Sequence, residues 1–219
     1  MFKNFEFVLG SKSKERQKLL KKILKFEVFY NNSKIRTSNK FSARAITKEL
    51  AYFKALLVCL KKPKKIVIAA DTLVQSSNKI FGKPSNLIQA KKFLNQLSGK
   101  KFYVFSSVCL AYFNGSYKPY TLVYNTKAAI KLKKLDKKSI NFYLSKIDWK
   151  NKAGAIDISS KIFQKFLVVR LSESDIQTIK GLNLSALLKN LKIFIKRLKK
   201  LKKHTKIKKH TKRQAVDTM

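Results

Sequence analysis

Residues 66–84 read Ile66-Val67-Ile68-Ala69-Ala70-Asp71-Thr72-Leu73-Val74-Gln75-Ser76-Ser77-Asn78-Lys79-Ile80-Phe81-Gly82-Lys83-Pro84. The apolar, β-branched opening has the composition of a buried strand, and it reads as ending where Asp71 and Thr72 begin. Ser76-Ser77-Asn78 is a polar turn that reverses the chain into Lys79-Ile80-Phe81, with Gly82-Lys83-Pro84 beyond. An acid and a base, Asp71 and Lys83, therefore bracket a hairpin. The chain has 11 acidic residues against 51 basic ones, so an aspartate at the lip of a hydrophobic strand calls for a chemical role.

Working outward, Phe5–Leu9 predicts a first strand and Phe26–Tyr30 a second. Gly10-Ser11-Lys12-Ser13 separates the first from a helix with Leu19, Leu20, Ile23 and Leu24 on one face. Ile46, Leu50, Phe53 and Leu57 recur at helical spacing after the polar stretch Asn31–Ser42, and predict a helix over Ala43–Val58. Leu87, Ala90, Leu94 and Leu97 mark another helix, with Gly99 placed to cap its C-terminus. Phe102–Phe113 and Tyr117–Leu132 read as long strands joined at Asn114-Gly115, the strongest hairpin signal in the chain. Asp136–Leu144 reads as a short helix, Ile156–Leu171 as a further strand, and Leu184 to about Leu201 as a final helix. Helices between strands, plus an antiparallel pair, predict an α/β fold with a mixed, partly antiparallel sheet.

The 219 residues suffice for one core, and 45% hydrophobic with 11% aromatic residues is a globular composition. The expected division is a folded domain over 1–201 and a disordered basic tail over 202–219, which repeats Lys-His-Thr-Lys and holds both histidines. No apolar run reaches the roughly 18 residues of a membrane span, and no secretion signal is read, so a cytoplasmic protein is expected. Cys59 and Cys109 sit in apolar surroundings and are expected to be buried thiols. The net charge of +40 favours phosphate-bearing partners. It is spread along the chain: the run Lys189–Met219 carries only +12 of it. Non-specific nucleic-acid binding through the tail is one expectation, although no RNP, KH or helix-turn-helix signature is present.

The strand-loop-helix junction at Gly10–Ser13 is a candidate anion site, but it lacks the second Gly and the Gly-Lys-Ser/Thr ending of a Walker loop. Taken alone it reads equally as a helix cap. Lys54 reads as a lysine on the edge of a buried helix face, and equally as a solvated one.

Taken in order, these pieces resemble the Maf family of nucleoside triphosphate pyrophosphatases. Leu9-Gly10-Ser11-Lys12-Ser13-Lys14-Glu15-Arg16-Gln17-Lys18-Leu19-Leu20 is similar to the family's L-A-S-x-S-P-R-R-x-x-L-L. Lys54-Ala55 resembles its helical lysine before alanine. Ala69-Ala70-Asp71-Thr72-Leu73-Val74 and Gly82-Lys83-Pro84 resemble G-A-D-T-x-V and G-K-P. Ala90, Leu94 and Leu97-Ser98-Gly99 fit E-A-x-x-x-L-x-x-L-S-G, Lys152-Ala153-Gly154 fits K-A-G, and Gly181-Leu182-Asn183-Leu184 resembles G-L-P-L. The likeness spans roughly residues 5–195.

The resemblance implies a two-lobed α/β body with a deep cleft. It also implies hydrolysis of a nucleoside triphosphate between its α and β phosphates to the monophosphate and pyrophosphate, with dTTP and UTP favoured by the A-D-T form. In that setting Asp71 is expected to act as the base or to hold Mg²⁺ or Mn²⁺. Lys54, Lys83 and Arg16 are expected to neutralise phosphates, Ser11 to cradle them, and Thr72 to line the site. A homodimer is compatible with the resemblance, and no membrane partner is expected. The chain departs from the family at Lys14 and Glu15, at the carboxylate-free segment 31–35, and at Ala155–Ser160, where the family has G-G-Y-x-I-Q-G. Asp157 there is a candidate replacement for a lost acid. The alternative expectation is therefore a homologue that binds nucleotides without turnover.

Overall fold

A computed structural model describes residues 2, 4–31, 42–115 and 118–216, with side chains to residue 201. The sheet is mixed. Its strands are β1 (Phe7–Leu9), β2 (Glu27–Val28), β3 (Ile66–Ser76), β4 (Lys79–Phe81), β5 (Lys101–Tyr112) and β6 (Tyr120–Lys131). The order is β2-β1-β3-β5-β6, with β4 hydrogen-bonded to β3. β1 runs parallel to β2 and β3, while β3-β4, β3-β5 and β5-β6 are antiparallel. The helices are α1 (Lys14–Leu20), α2 (Ala43–Lys61), α3 (Leu87–Leu97), α4 (Lys137–Lys146), α5 (Lys161–Lys165), α6 (Glu173–Ile179) and α7 (Leu184–Val216).

The expected class is borne out, and several expectations about its parts are corrected. β3 does not end at Asp71; it continues to Ser76, because Leu73 and Val74 carry the apolar pattern past the two polar residues. The pairing on its edge stops there instead. β1 pairs residues 66–68 of β3 and β4 pairs 74–76, while β5 occupies the opposite edge from 66 to 75. Asp71 and Thr72 thus stand in a gap on the β1/β4 edge, midway along the central strand. Ile156–Leu171 is not a strand. A 3₁₀ turn at Ala153–Ala155 precedes it, and it holds the short helix α5 capped by Ser160 and one isolated bridge, Leu132 to Leu167. Ile156 and Ile158 from irregular chain and Phe163 from α5 all reach one core, which imitates strand alternation in sequence. Asn114-Gly115 lies within a longer connection from Tyr112 to Tyr120, so the hairpin forms without a two-residue turn.

The sheet faces set the site. Ile66, Ile68 and Ala70 face α1 and α7, while Val67 and Ala69 face α2. By the two-residue alternation of a strand, Thr72 falls on the α7 side and Asp71 on the α2 side. The register row through them is polar across the sheet: Asp71 opposite Ser107 opposite Asn125, and Thr72 opposite Ser106 opposite Thr126. On the α7 side this row divides the core into one cluster under α7 and another under α3, α4 and α5. α2 lies close on its face through Ala51, Ala55 and Val58, and Phe53, expected in the buried stripe, is 40% exposed. Both cysteines are buried free thiols, and desolvation pushes Cys59 to about 11 and Cys109 to about 12. Among the described residues no helix is long and apolar enough to cross a membrane. α7 continues past Lys202, where the sequence suggests a tail.

Candidate active site

A cleft of about 680 Å³ opens over the gap in the β3 edge, a size suited to a nucleotide-sized ligand. Ser11, Arg16, Lys54, Asp71, Thr72 and Lys83 all line it, so residues 72 positions apart in sequence are gathered into one site. Lys54 projects from α2 between the packed Ala51, Ala55 and Val58, and its ammonium is bonded directly to Asp71 Oδ1. Asp71 is 13% exposed and Lys54 35%. Burial next to a cation keeps the carboxylate in place at the cleft wall.

Arg16 ties three segments together. Its Nε donates to the Gly181 carbonyl at 3.1 Å, Nη1 to Ser11 Oγ at 3.0 Å and Nη2 to Thr72 Oγ1 at 2.9 Å. A guanidinium has five N–H donors, so two remain for a ligand. Desolvation lowers the Arg16 pKa, opposed by the charge of Asp71. Gly181 makes the contact feasible: at φ +94° without a side chain it lets Arg16 lie against it, and a Cβ there would meet Nε at 2.8 Å and Thr72 Oγ1 at 2.9 Å. Gly10 does the same for the β1–α1 loop, donating its N–H to the Ile68 carbonyl at 2.8 Å.

Thr72 anchors Arg16 and shares a 3.1 Å hydrogen bond with Ser106 Oγ. Ser11 Oγ accepts from Arg16 and from the Ser13 N–H at 3.3 Å, which leaves its own O–H as a donor toward the cleft. α1 is only seven residues long, and Ser13 Oγ accepts the Arg16 N–H. The loop therefore presents side-chain cations and a hydroxyl more than free backbone donors. Lys83 is exposed along its length, yet desolvation of its ammonium, then the field of Arg16, Lys54 and Lys12, lowers its pKa; Asp71 opposes the shift.

Glu15, which stands where the family has arginine, turns to Lys18 at 3.9 Å and Lys180 at 4.0 Å. Its charge is met by those cations at the cleft edge. Asp157 also lines the cleft, paired with Lys152 at 3.6 Å. Segment 32–41, within which the family's acidic motif falls, lies outside the described residues.

The polar row Ser106-Ser107 and Asn125-Thr126 escaped the reading of the sequence. Asn125 Nδ2 donates to Ser107 Oγ at 2.9 Å, and Thr47 Oγ1 meets Ser107 Oγ at 2.8 Å. Polar doublets in the middle of long apolar strands were its signal, parallel to Asp71-Thr72. Among the described residues no three His, Cys, Asp or Glu side chains converge as metal ligands. Asp71, set among Lys54, Lys83 and Arg16 at the cleft wall, suits a cation that arrives on phosphate oxygens and keeps several waters, rather than one caged by protein.

The fold and this site define a mixed α/β protein with a strand-gap cleft. The Staphylococcus aureus Ham1 protein shares that fold, with a TM-score of 0.50 at 13% identity over 85% of this chain and 98% of that one. The family model for Maf-like proteins matches residues 6–194, and the chain belongs to that family. A dTTP/UTP pyrophosphatase from Shouchella clausii is 32% identical over 86% of this chain and 95% of its own length. A nucleoside triphosphate pyrophosphatase from Ehrlichia ruminantium is 34% identical over 72% of this chain and 81% of its own.

Proposed function

We propose that this protein hydrolyses nucleoside triphosphates, dTTP and UTP preferentially, to the monophosphate and pyrophosphate in the cytoplasm. The observation that carries this is the Lys54–Asp71 pair standing with Lys83, Arg16 and Ser11 in one cleft. The relatives' activities support the substrate class. Water attacks the α phosphorus, the bond from it to the bridging oxygen of the β phosphate breaks, and pyrophosphate leaves with the electron pair. Lys83, the free donors of Arg16 and the Ser11 hydroxyl hold the phosphate oxygens and meet the charge that builds on them. Asp71 accepts the proton of the attacking water, and Lys54 keeps it oriented. Mg²⁺ or Mn²⁺ carried in on the phosphates, with Asp71 as its protein oxygen, would add charge neutralisation.

Pyrophosphate release from UTP, dTTP and CTP with Mg²⁺ or Mn²⁺, compared between native protein and Asp71→Asn, tests this. Native turnover with a loss of about 10³-fold in the variant is expected. Negligible release by both, with nucleotide binding intact, would instead establish a binding protein without turnover.

A further inference from the structure

α2 carries Lys54 to Asp71, and its place on the sheet is fixed by residues outside the cleft. The stripe that packs on the sheet includes Ala51, Ala55 and Val58, all buried. Such small apolar side chains let the helix lie close, but their contacts are non-directional and resist sliding weakly.

Directional contacts supply the register. Gln75 stands on the same face of β3 as Asp71, and its Oε1 accepts the Ala43 N–H at 3.0 Å where α2 begins. One turn on, Thr47 Oγ1 and Ser107 Oγ lie 2.8 Å apart, and both residues are fully buried. Thr47 has one hydroxyl proton, which it donates to the Arg44 carbonyl at 3.1 Å, so Ser107 is the donor to Thr47. Ser107 accepts in turn from Asn125 Nδ2 at 2.9 Å, and the same amide donates to the Ser106 carbonyl at 3.4 Å. The chain therefore runs one way, from Asn125 through Ser107 and Thr47 to Arg44, with both hydroxyls donating and accepting. A buried network satisfied throughout rigidifies the elements it joins.

This tie meets the sheet beside the catalytic carboxylate, since Ser107 is the register partner of Asp71. Thr47 and Lys54 are seven residues apart, two turns of α2, so they share a face, and helical side chains lean towards the N-terminus. One register pair of the sheet therefore receives both: Thr47 meets Ser107, and Lys54, about 10 Å further along the axis, reaches back to Asp71. Lys54 takes Oδ1, which leaves the other oxygen to the attacking water. A slide of α2 by one residue's rise, about 1.5 Å, would draw the ammonium off Oδ1 and free the carboxylate to turn.

We propose that Thr47 and Ser107 are positioning residues for hydrolysis: the buried chain through them holds α2 at the height where Lys54 orients Asp71. The proposal rests on the nucleotide-hydrolysis reading above. Neither residue is among those that line the cleft.

The experiment measures kcat and KM for UTP in Thr47→Val, Thr47→Ser and Ser107→Ala. Valine keeps the β-branched shape and loses the hydroxyl, while serine keeps the hydroxyl. Ser107→Ala cuts the tie and leaves Thr47 its bond to Arg44. kcat is expected to fall about tenfold in Thr47→Val and in Ser107→Ala, since a displacement of about 1 Å at a reacting group can cost up to 10²-fold. KM should stay within about twofold, because Lys83, Arg16 and Ser11 stand on other elements, and Thr47→Ser should return kcat to within about twofold of native. A kcat within twofold of native in Thr47→Val, a rise in KM that matches the fall in kcat, or no recovery in Thr47→Ser would overturn the proposal and leave Thr47 a core residue. Urea titrations of Thr47→Val, Lys54→Met and the double variant read the coupling without turnover. Sites about 10 Å apart ordinarily add; here Lys54→Met is expected to destabilise less in the Thr47→Val background than in native protein. If it does so while native protein releases no pyrophosphate, the tie stands and the hydrolase reading fails. Additive losses sink the tie whatever the turnover.

Discussion

At one end of the cleft the ligand-facing groups stand on regular elements and bind one another: Lys54 of α2 to Asp71 of β3, and Arg16 of α1 to Thr72 and Gly181. At the other end Lys152 and Asp157 stand on irregular chain, fixed by Tyr143 and by the hydrogen bond from Gly154 to Gly82. The first end works by accumulated charge that is cross-linked, so a change to one member disturbs the others. The second sets one carboxylate and one ammonium, paired with each other, on a hydrogen-bonded frame. Substitutions at the first end should therefore act alike on every nucleotide.

The largest effect expected at the charged end is that of Asp71→Asn, about 10³-fold in kcat/KM on UTP and CTP equally. A loss that differs between the two bases would break the division. Gly181→Ala comes next. Its Cβ would need room that Arg16 Nε occupies at 2.8 Å, in a left-handed conformation that alanine disfavours. About 3 kcal/mol of stability should be lost in a urea titration, with kcat/KM down about 100-fold through the displaced Arg16. Unchanged kinetics would show that the Arg16 clamp is not needed for turnover.

Lys83 yields a pH effect. It holds phosphate only while protonated, and desolvation with neighbouring cations lowers its pKa. The ammonium is thus lost as pH rises, at a lower pH than for an ordinary lysine, and kcat/KM should fall on that alkaline side. Lys83→Arg should carry the fall to higher pH, since arginine stays charged, and Lys83→Ala should raise KM about tenfold at neutral pH. A profile that Lys83→Arg leaves in place would remove Lys83 from the assignment. The smallest effect belongs to Glu15→Gln. Its contacts with Lys18 and Lys180 are long and partly solvated, so stability should move by under about 0.5 kcal/mol. Freeing Lys180 should lower KM for the triphosphate about twofold; a raised KM would mean that the Glu15–Lys180 contact positions the helix.

Much of the charged end was legible in the sequence because its residues sit in motifs at recognisable places. Asp71-Thr72 interrupts an apolar strand, Lys83 follows a glycine at a turn, and Ser11 and Arg16 open a helix. The hydrogen-bonding role of Thr72 was not legible, because it depends on Arg16 from 56 residues away. The other end was misread. Ile156–Leu171 alternates as a strand would, yet its apolar side chains reach the core from the loop after a 3₁₀ turn and from a five-residue helix. A short run with several inward-facing positions does not distinguish these backbones, since period alone carries no information on irregular chain.

The sequence by itself determined the alternation of strands and helices, the mixed sheet and the family, because each follows from periodicity and short motifs that are local in the chain. Only the tertiary structure decided where the cleft lies. β1 and β4 share one edge of β3 and leave residues 69–73 of that edge unpaired, so the polar residues of a strand read as ending at Asp71 instead stand at its middle. Which strands pair, and where pairing stops, depends on contacts between distant segments, and no local pattern records it.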